Sequence, residues 1–292
     1  MRVISLLNQK GGVGKTTTAV NLGAALALAG RRVVVVDLDP QANLSVHLGL
    51  EVAPGAPSSY RMLLGEVPFA AALMPTGTPL LQAVPTDLDL SGAELELSNQ
   101  FGRETLLREA VATWRAEHAR ANGGEEPADF VLFDCPPSLG LLSINALAAS
   151  DEVFICVQTE FFALRGLSKL MDVVRLVQRR LHPALRITGI LPCLYDSRLK
   201  LGREVLGELK SHFGAEVFAR HVGVNVKLAE APSFGQTIFE YAPESSGARD
   251  YRLLAEEVLS MGAEVEPKEV EPKREEALVI LPRAASESPV ES

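Results

Sequence analysis

Aromatic residues and cysteines are scarce in this chain. One Trp and four Tyr leave the core to be built mainly from Leu, Val and Ala. The three cysteines, Cys135, Cys156 and Cys193, stand far apart, each in or beside an apolar run. No Cys-x-x-Cys pair or Cys/His spacing is present. That argues against a cysteine-held metal and for three small buried apolar residues. Nothing in the pattern suggests an oxidising compartment. No apolar stretch approaches the ~20 residues that span a bilayer. The first apolar run is short and passes straight into a glycine-rich loop, so no signal peptide is expected. These absences predict a soluble, intracellular protein with no membrane partner.

Positive charge is in deficit, with 28 basic against 37 acidic side chains and a net charge of −9. Taken alone, that argues weakly against a nucleic-acid partner. The charge is unevenly spread, however. Residues 263–292 carry a net −4, while residues 165–186 (Arg165, Lys169, Arg175, Arg179, Arg180 and Arg186 against Asp172) carry +5. A local basic face can exist on an acidic protein.

What the chain has in quantity is apolar surface, 47% of its residues. At 292 residues it can form one large α/β domain or two small ones. Residues 2–7 read as a strand and 15–29 as a helix that Gly30 terminates. The β-branched run Val33–Val36 marks a strand buried on both faces of a parallel sheet. Residues 50–78 read as loops and short helices, and 80–84 as a strand. Residues 93–121 look helical with a break near Gly102, and 122–127 form a surface loop. Strands follow at 130–133, 152–157 and 187–194, and helices at 140–149, 161–182, 200–213 and 247–262. The last helix should bury Tyr251, Leu254, Ala255, Val258 and Leu259. The alternation predicts a mostly parallel central sheet with helices on both faces. Ligands in such folds sit beyond the carboxyl ends of the strands. The domain should therefore span residues 1–262. Residues 263–292, rich in Glu, Pro and Ser, read as a disordered tail. The short apolar run Leu278–Leu281 is a possible docking segment within it.

Four features at strand ends carry chemistry. The first is Lys10-Gly11-Gly12-Val13-Gly14-Lys15-Thr16-Thr17, between a strand and a helix. Its glycines let successive N–H groups turn toward an anion, and the helix start adds its positive dipole end. Lys15 suits the β/γ-phosphates, and Thr16 can offer its hydroxyl to Mg²⁺. The usual loop has Gly six residues before that lysine, whereas Gln9 stands here and Lys10 sits at the mouth. Lys10 can serve its own nucleotide or reach across to another. The second is Asp37-Leu38-Asp39. Asp39 is the candidate to orient the attacking water and to approach the metal, and Asp37 to fix the loop or the metal shell. The third is Asp134 after Phe130–Phe133, a candidate Mg²⁺ carboxylate. The fourth is the set of basic residues noted above.

These segments, with Phe130–Gly140 and Leu228–Tyr251, resemble the ParA/Soj family of chromosome- and plasmid-partitioning ATPases. That family lies within the deviant Walker A group of P-loop NTPases, which also holds the MinD family. The resemblance implies a Mg²⁺-dependent ATPase of slow intrinsic rate in which two subunits sandwich two ATP molecules. Lys10 would then contact the partner subunit's nucleotide. Asp39 would activate water, and Lys15, Thr16 and Asp134 would bind phosphate and Mg²⁺. Leu194 and Tyr195, with Pro232, Ser233 and Phe234, would line the adenine pocket. The resemblance further implies a homodimer that binds double-stranded DNA without sequence preference. A ParB-type centromere-binding protein would stimulate its hydrolysis, and the protein would be cytoplasmic and nucleoid-associated. Arg198 is the leading DNA candidate, with Lys200, Arg203, Lys227, Arg165, Lys169 and Arg186 as helpers. The segment Gly223-Val224-Asn225-Val226-Lys227-Leu228 departs from the family's more basic pattern. Three other readings are weighed against this one. A MinD-like membrane ATPase would need a basic amphipathic C-terminal helix. An iron-protein-like electron carrier would need a second well-placed cysteine. A DNA-binding scaffold with a vestigial nucleotide site would not turn ATP over.

Overall fold

The computed structural model describes residues 1–261 other than 88, 161 and 162. The tail at 263–292, with its Leu278–Leu281 run, and the side chains of Glu94 and Arg165 lie outside the described residues.

The chain order is β1 (Arg2–Leu7), α1 (Lys15–Leu28), β2 (Val33–Asp37), α2 (Asn43–His47), α3 (Ser59–Leu63), β3 (Met74–Pro75) and β4 (Leu81–Val84). It continues with α4 (Leu90–Leu97), α5 (Leu106–Ala121), β5 (Phe130–Asp134), α6 (Leu141–Ala149), β6 (Glu152–Gln158), α7 (Ala163–Arg180) and β7 (Arg186–Cys193). The last elements are α8 (Lys200–Phe213), α9 (Val226–Glu230), α10 (Ile238–Tyr241) and α11 (Ser246–Met261). The strands form one seven-stranded sheet in the order β3-β4-β2-β5-β1-β6-β7. Every pairing is parallel except β3 against β4. The two-residue β3 corrects the reading of 50–78 as loops and short helices alone.

The strand sequences explain the two-faced burial. Val34 and Val36 enter one core with Val131, Phe133, Val153 and Ile155. Val33 and Val35 enter the other with Leu132, Phe154 and Cys156. Alternate residues point to opposite faces, so a strand apolar throughout fits only a sheet covered on both sides. α5, α6 and α7 cover the first face, with Leu107, Trp114, Ala146, Leu170 and Val174 buried. α1 and α11 cover the second. Each fully buried Val, Leu, Ile or Phe side chain among these contributes about 1.5–3 kcal/mol. α11 buries Tyr251, Leu254, Ala255 and Val258 as expected, whereas Leu259, near the end of the helix, is only half-buried. All three cysteines lie in these cores. Among the described residues no helix is long and apolar enough to cross a membrane.

α1 is nearly all buried, and polar contacts fix its place. The Thr18 hydroxyl meets Tyr251 OH at 3.1 Å. Asn21 Oδ1 accepts the Ile238 N–H at 2.7 Å, tying α10 to the middle of α1. Gly23 packs so tightly on the sheet that a Cβ would lie 2.9 Å from Val35 Cγ1. The helix that follows the glycine loop therefore has little freedom to tilt.

At the sheet edge away from that loop, Arg2 and Glu152 form a two-pronged pair at 2.7 and 2.9 Å. Thr188 adds a third bond to Glu152 at 2.6 Å. Burial works against the charge on Glu152, but the bonds from Arg2 and Thr188 outweigh it and hold the carboxyl below its usual range. Glu152→Ala should lower folding stability by about 3 kcal/mol at neutral pH, because Arg2, still bonded to Val258 O, is left half-buried without a carboxylate partner. The wild-type contribution is fully present above the unfolded glutamate range near 4. It fades as pH falls through the lower folded value. Urea melts of both proteins at pH 7 and at pH 3 would check this; a gap that does not shrink in acid would refute it.

Candidate functional site

β1, β5 and β2 lie side by side, and their carboxyl ends deliver the loop, Asp134 and Asp37 to one edge of the sheet. The loop leaves β1 through Asn8. Its side-chain NH₂ donates to Cys156 O, and its Oδ1 accepts the Lys10 N–H at 2.9 Å. Asn two residues before the lysine is the sequence signal for this turn. Gly12 and Gly14 adopt φ of +72° and +93°, a region costly for side-chain-bearing residues. No side chain caps the start of α1 at Gly14, so the first helical N–H groups face the site. Lys15 is only 6% exposed, and its Nζ lies 3.4 Å from Lys10 O. Gly11 is exposed and Val13 buried, while Thr16 and Thr17 are half-buried on the first turn of α1.

Lys10 behaves differently. Its Nζ folds back along the loop to Gln158 Oε1 at 2.9 Å and Glu160 Oε2 at 2.5 Å. The side chain is 56% exposed. Among the described residues its side chain is held by this surface pair alone, of a kind typically worth at most ~1 kcal/mol.

Asp37 and Asp134 are register partners on β2 and β5, and both are fully buried. Asp134 is a buried carboxylate whose two oxygens have no partner in hydrogen-bonding geometry among the described residues. Burial, then the Asp37 charge, pushes its carboxyl well above the usual range; the nearby Thr16 hydroxyl and Lys15 ammonium pull the other way. Two adjacent carboxylates, one unbonded, are costly to bury unless a cation accompanies them. The residues present therefore fit a hard divalent cation held by oxygen, with Thr16 alongside. Asp37 is not free to serve in the same way. Its Oδ2 accepts both the N–H and the hydroxyl of Ser45, at 2.9 and 2.8 Å, and its Oδ1 accepts the Asp39 N–H at 3.2 Å. Burial raises its carboxyl to about 6 against those bonds. Asp39 is buried near the surface of the site, and its Oδ1 accepts the Gln41 N–H at 3.0 Å.

Other expected residues are less tightly gathered. β7 ends beside the loop, with Cys193 about van der Waals distance from a Cβ placed on Gly14. Leu194 then takes a left-handed φ of +52°. Tyr195 is half-buried, packed edge-on against His221 at 4.4 Å. Pro232, Ser233 and Phe234 form a single 3₁₀ turn docked on α2. Phe234 is 63% exposed and stacks on Tyr241. Arg198 pairs with Asp196 at 2.7 Å but stays 86% exposed. Lys200 pairs with Glu204, Arg203 Nη1 donates to Ser197 O, and Lys227 pairs with Glu230 over the Tyr241 ring. Lys169 is an exposed residue of α7. Arg186 opens β7 and so lies at the opposite end of the sheet from Arg198. The Arg165 side chain lies outside the described residues.

A strand–glycine loop–helix unit, with buried carboxylates at the adjoining strand ends and a second lysine at the mouth, defines the P-loop nucleoside triphosphatase class. Comparison with known proteins narrows this. Residues 1–187 match a family model described as an AAA domain. Residues 125–283 match one described as 4Fe-4S iron sulfur cluster binding proteins, NifH/frxC family. The chromosome partitioning protein ParA of Caulobacter vibrioides is 44% identical over 260 residues, covering 89% of this chain and 94% of that one. The sporulation initiation inhibitor protein Soj of Bacillus subtilis is 44% identical over 261 residues, covering 89% and 99%. Among solved structures, cobyrinic acid a,c-diamide synthase of Mycobacterium smegmatis with bound ADP and magnesium superimposes with a TM-score of 0.76. It is 36% identical and covers 90% of this chain and 96% of that one. The chain belongs to the ParA/Soj family of chromosome-partitioning ATPases. Its cysteines do not fit the iron–sulfur part of the second description. Cys135 and Cys193 are buried with their thiols turned to the carbonyls of Phe133 and Leu191, and Cys156 is buried in the second core. The MinD-like alternative rested on the C-terminal segment, which lies outside the described residues.

Proposed function

We propose that this protein is an ATP-driven partitioning switch. ATP closes a homodimer, the dimer binds nucleoid DNA without sequence preference, and slow Mg²⁺-dependent hydrolysis, stimulated by a ParB-type centromere-binding protein, releases it. Its setting is then the cytoplasm, on the nucleoid. The observation that carries this reading is the contrast between the two lysines. Lys15 is buried at the start of α1, whereas Lys10 is exposed at the mouth and, among the described residues, bonds to Gln158 and Glu160.

In this mechanism Lys15 Nζ exchanges Lys10 O for phosphate oxygens, and the open N–H groups of α1 add to the same cradle. Thr16 and Asp134 would hold Mg²⁺, which when bound offsets charge developing on the phosphates. Asp39 orients the attacking water and accepts its proton. Leu194, Tyr195 and the 232–234 turn bound the adenine. Lys10 of one subunit reaches the nucleotide of the other. Arg198, Lys200, Arg203 and Lys227 contribute a basic rim; Arg165 and Lys169 are secondary contributors, and Arg186, at the far end of β7, is set apart from it.

Double-stranded DNA of random sequence should be retained with ATP and not with ADP or without nucleotide, as read by gel shift. Arg198→Ala should weaken retention and lower the slope of log affinity against log salt by about one per lost phosphate contact. Equal binding in all three nucleotide states would overturn the switch.

A further inference from the structure

Ser45 was not singled out by any sequence motif, yet its hydroxyl joins three chain segments at the edge of the site. It accepts the Thr86 N–H at 2.9 Å and donates to Asp37 Oδ2 at 2.8 Å, while the Ser45 N–H donates to the same oxygen at 2.9 Å. Ser45 is 1% exposed and Asp37 fully buried. Two donors converging on one oxygen require it to be an acceptor, so the pair has one bonding arrangement. The other Asp37 oxygen takes the Asp39 N–H. The loop from Asp39 to Ser45 is thereby clipped at both ends to a single carboxylate. Between those ends Ala42 is forced to a left-handed φ of +53°, and the Ala42 N–H closes a tight turn onto Asp39 O at 2.8 Å. Thr86 follows β4, the strand beside β2, so Ser45 also ties the loop to the neighbouring strand exit.

We propose that Ser45 is a positioning residue for ATP hydrolysis, setting the place of Asp39 through the Asp37 carboxylate and the loop clipped to it. The inference rests on the role given to Asp39 above. The Ser45 bonds go to Asp37 and Thr86 rather than to the phosphate loop, so its loss should act on the chemical step more than on nucleotide affinity. A carboxylate displaced by an ångström can cost about 10²-fold in rate.

The test compares wild type, Ser45→Ala, Ser45→Thr and Asp39→Ala. It reads kcat and KM for ATP, affinity for a fluorescent ADP analogue, and the lifetime of the ATP-bound dimer. Ser45→Ala should lower kcat about ten- to a hundredfold, leave KM and ADP affinity within twofold, and lengthen the dimer lifetime in proportion. Ser45→Thr, which keeps the hydroxyl, should restore most of the rate. If Asp39→Ala is inactive while Ser45→Ala turns over as wild type, the positioning role is refuted and the Asp39 role stands. If Asp39→Ala retains full turnover, the underlying assignment fails first. A fall in ADP affinity matching the fall in kcat, or a Ser45→Thr variant as slow as Ser45→Ala, would also refute the proposal. Either would make Ser45 a general packing residue.

Discussion

Lys10→Ala is expected to remain monomeric on a sizing column with ATP and Mg²⁺, under conditions where the wild type shifts to a dimer. The variant should lose only an exposed pair to Gln158 and Glu160, so folding stability should change by no more than ~1 kcal/mol. The contact between Lys15 and residue 10 uses the backbone carbonyl, which alanine keeps. Each subunit should therefore still bind ATP. What disappears is a cation supplied to the other subunit's phosphates, and in related chemistry a cation provided in trans is worth about 10³–10⁵ in rate. ATP turnover and ATP-dependent DNA retention should fall together with the dimer. Gly12→Val gives a second, independent block. Its φ of +72° is strained for a β-branched residue, and the loop mouth where it lies is exposed. A Lys10→Ala protein that dimerises with ATP as the wild type does would end the trans role.

The elements legible in the sequence are those whose residues are governed by one dominant force. Val33–Val36 and Phe130–Phe133 are apolar throughout because both faces of their strands are buried. Asp134 stands out because a charge ends such a run. β3 was not legible: two residues carry no periodicity, and Pro75 lacks an N–H to signal pairing. Ser45 was not legible for a different reason. Its bond to Asp37 spans eight positions and depends on the left-handed turn at Ala42, which residue types alone do not announce. The basic residues show a third limit. Arg186 and Arg198 lie twelve positions apart, but the eight-residue strand β7 separates their levels by roughly 25 Å. Counting charge along the chain groups what the sheet pulls apart. The orientation of Lys10 likewise depends on Gln158 and Glu160, about 150 positions away.

Asp39→Ala is expected to give the opposite phenotype from Lys10→Ala: a dimer that forms with ATP, holds DNA and does not let go. Among the described residues the Asp39 side chain accepts one hydrogen bond, from the Gln41 N–H at 3.0 Å, and Gln41 is exposed, so water can replace the lost acceptor at small cost. The features that shape the loop are the Asp39 backbone N–H, held by Asp37, and its carbonyl, held by Ala42. Both persist in alanine. Lys15, Thr16 and Asp134 are likewise untouched, so phosphate and metal binding should survive. The loss falls on water activation, where a positioned base contributes about 10²–10⁴-fold. Phosphate release should drop by that factor while KM for ATP stays within about threefold. A ParB-type partner should not restore it, because the group it would act through is gone. Wild-type turnover would remove Asp39 from the reaction. A matched loss of Mg²⁺-dependent nucleotide binding would instead place Asp39 with Asp134 as a metal carboxylate. The two variants together also separate assembly from chemistry. If the lysine closes the dimer and the carboxylate opens it by spending ATP, then Lys10→Ala combined with Asp39→Ala should stay monomeric, since a stalled hydrolysis step cannot trap a dimer that never forms.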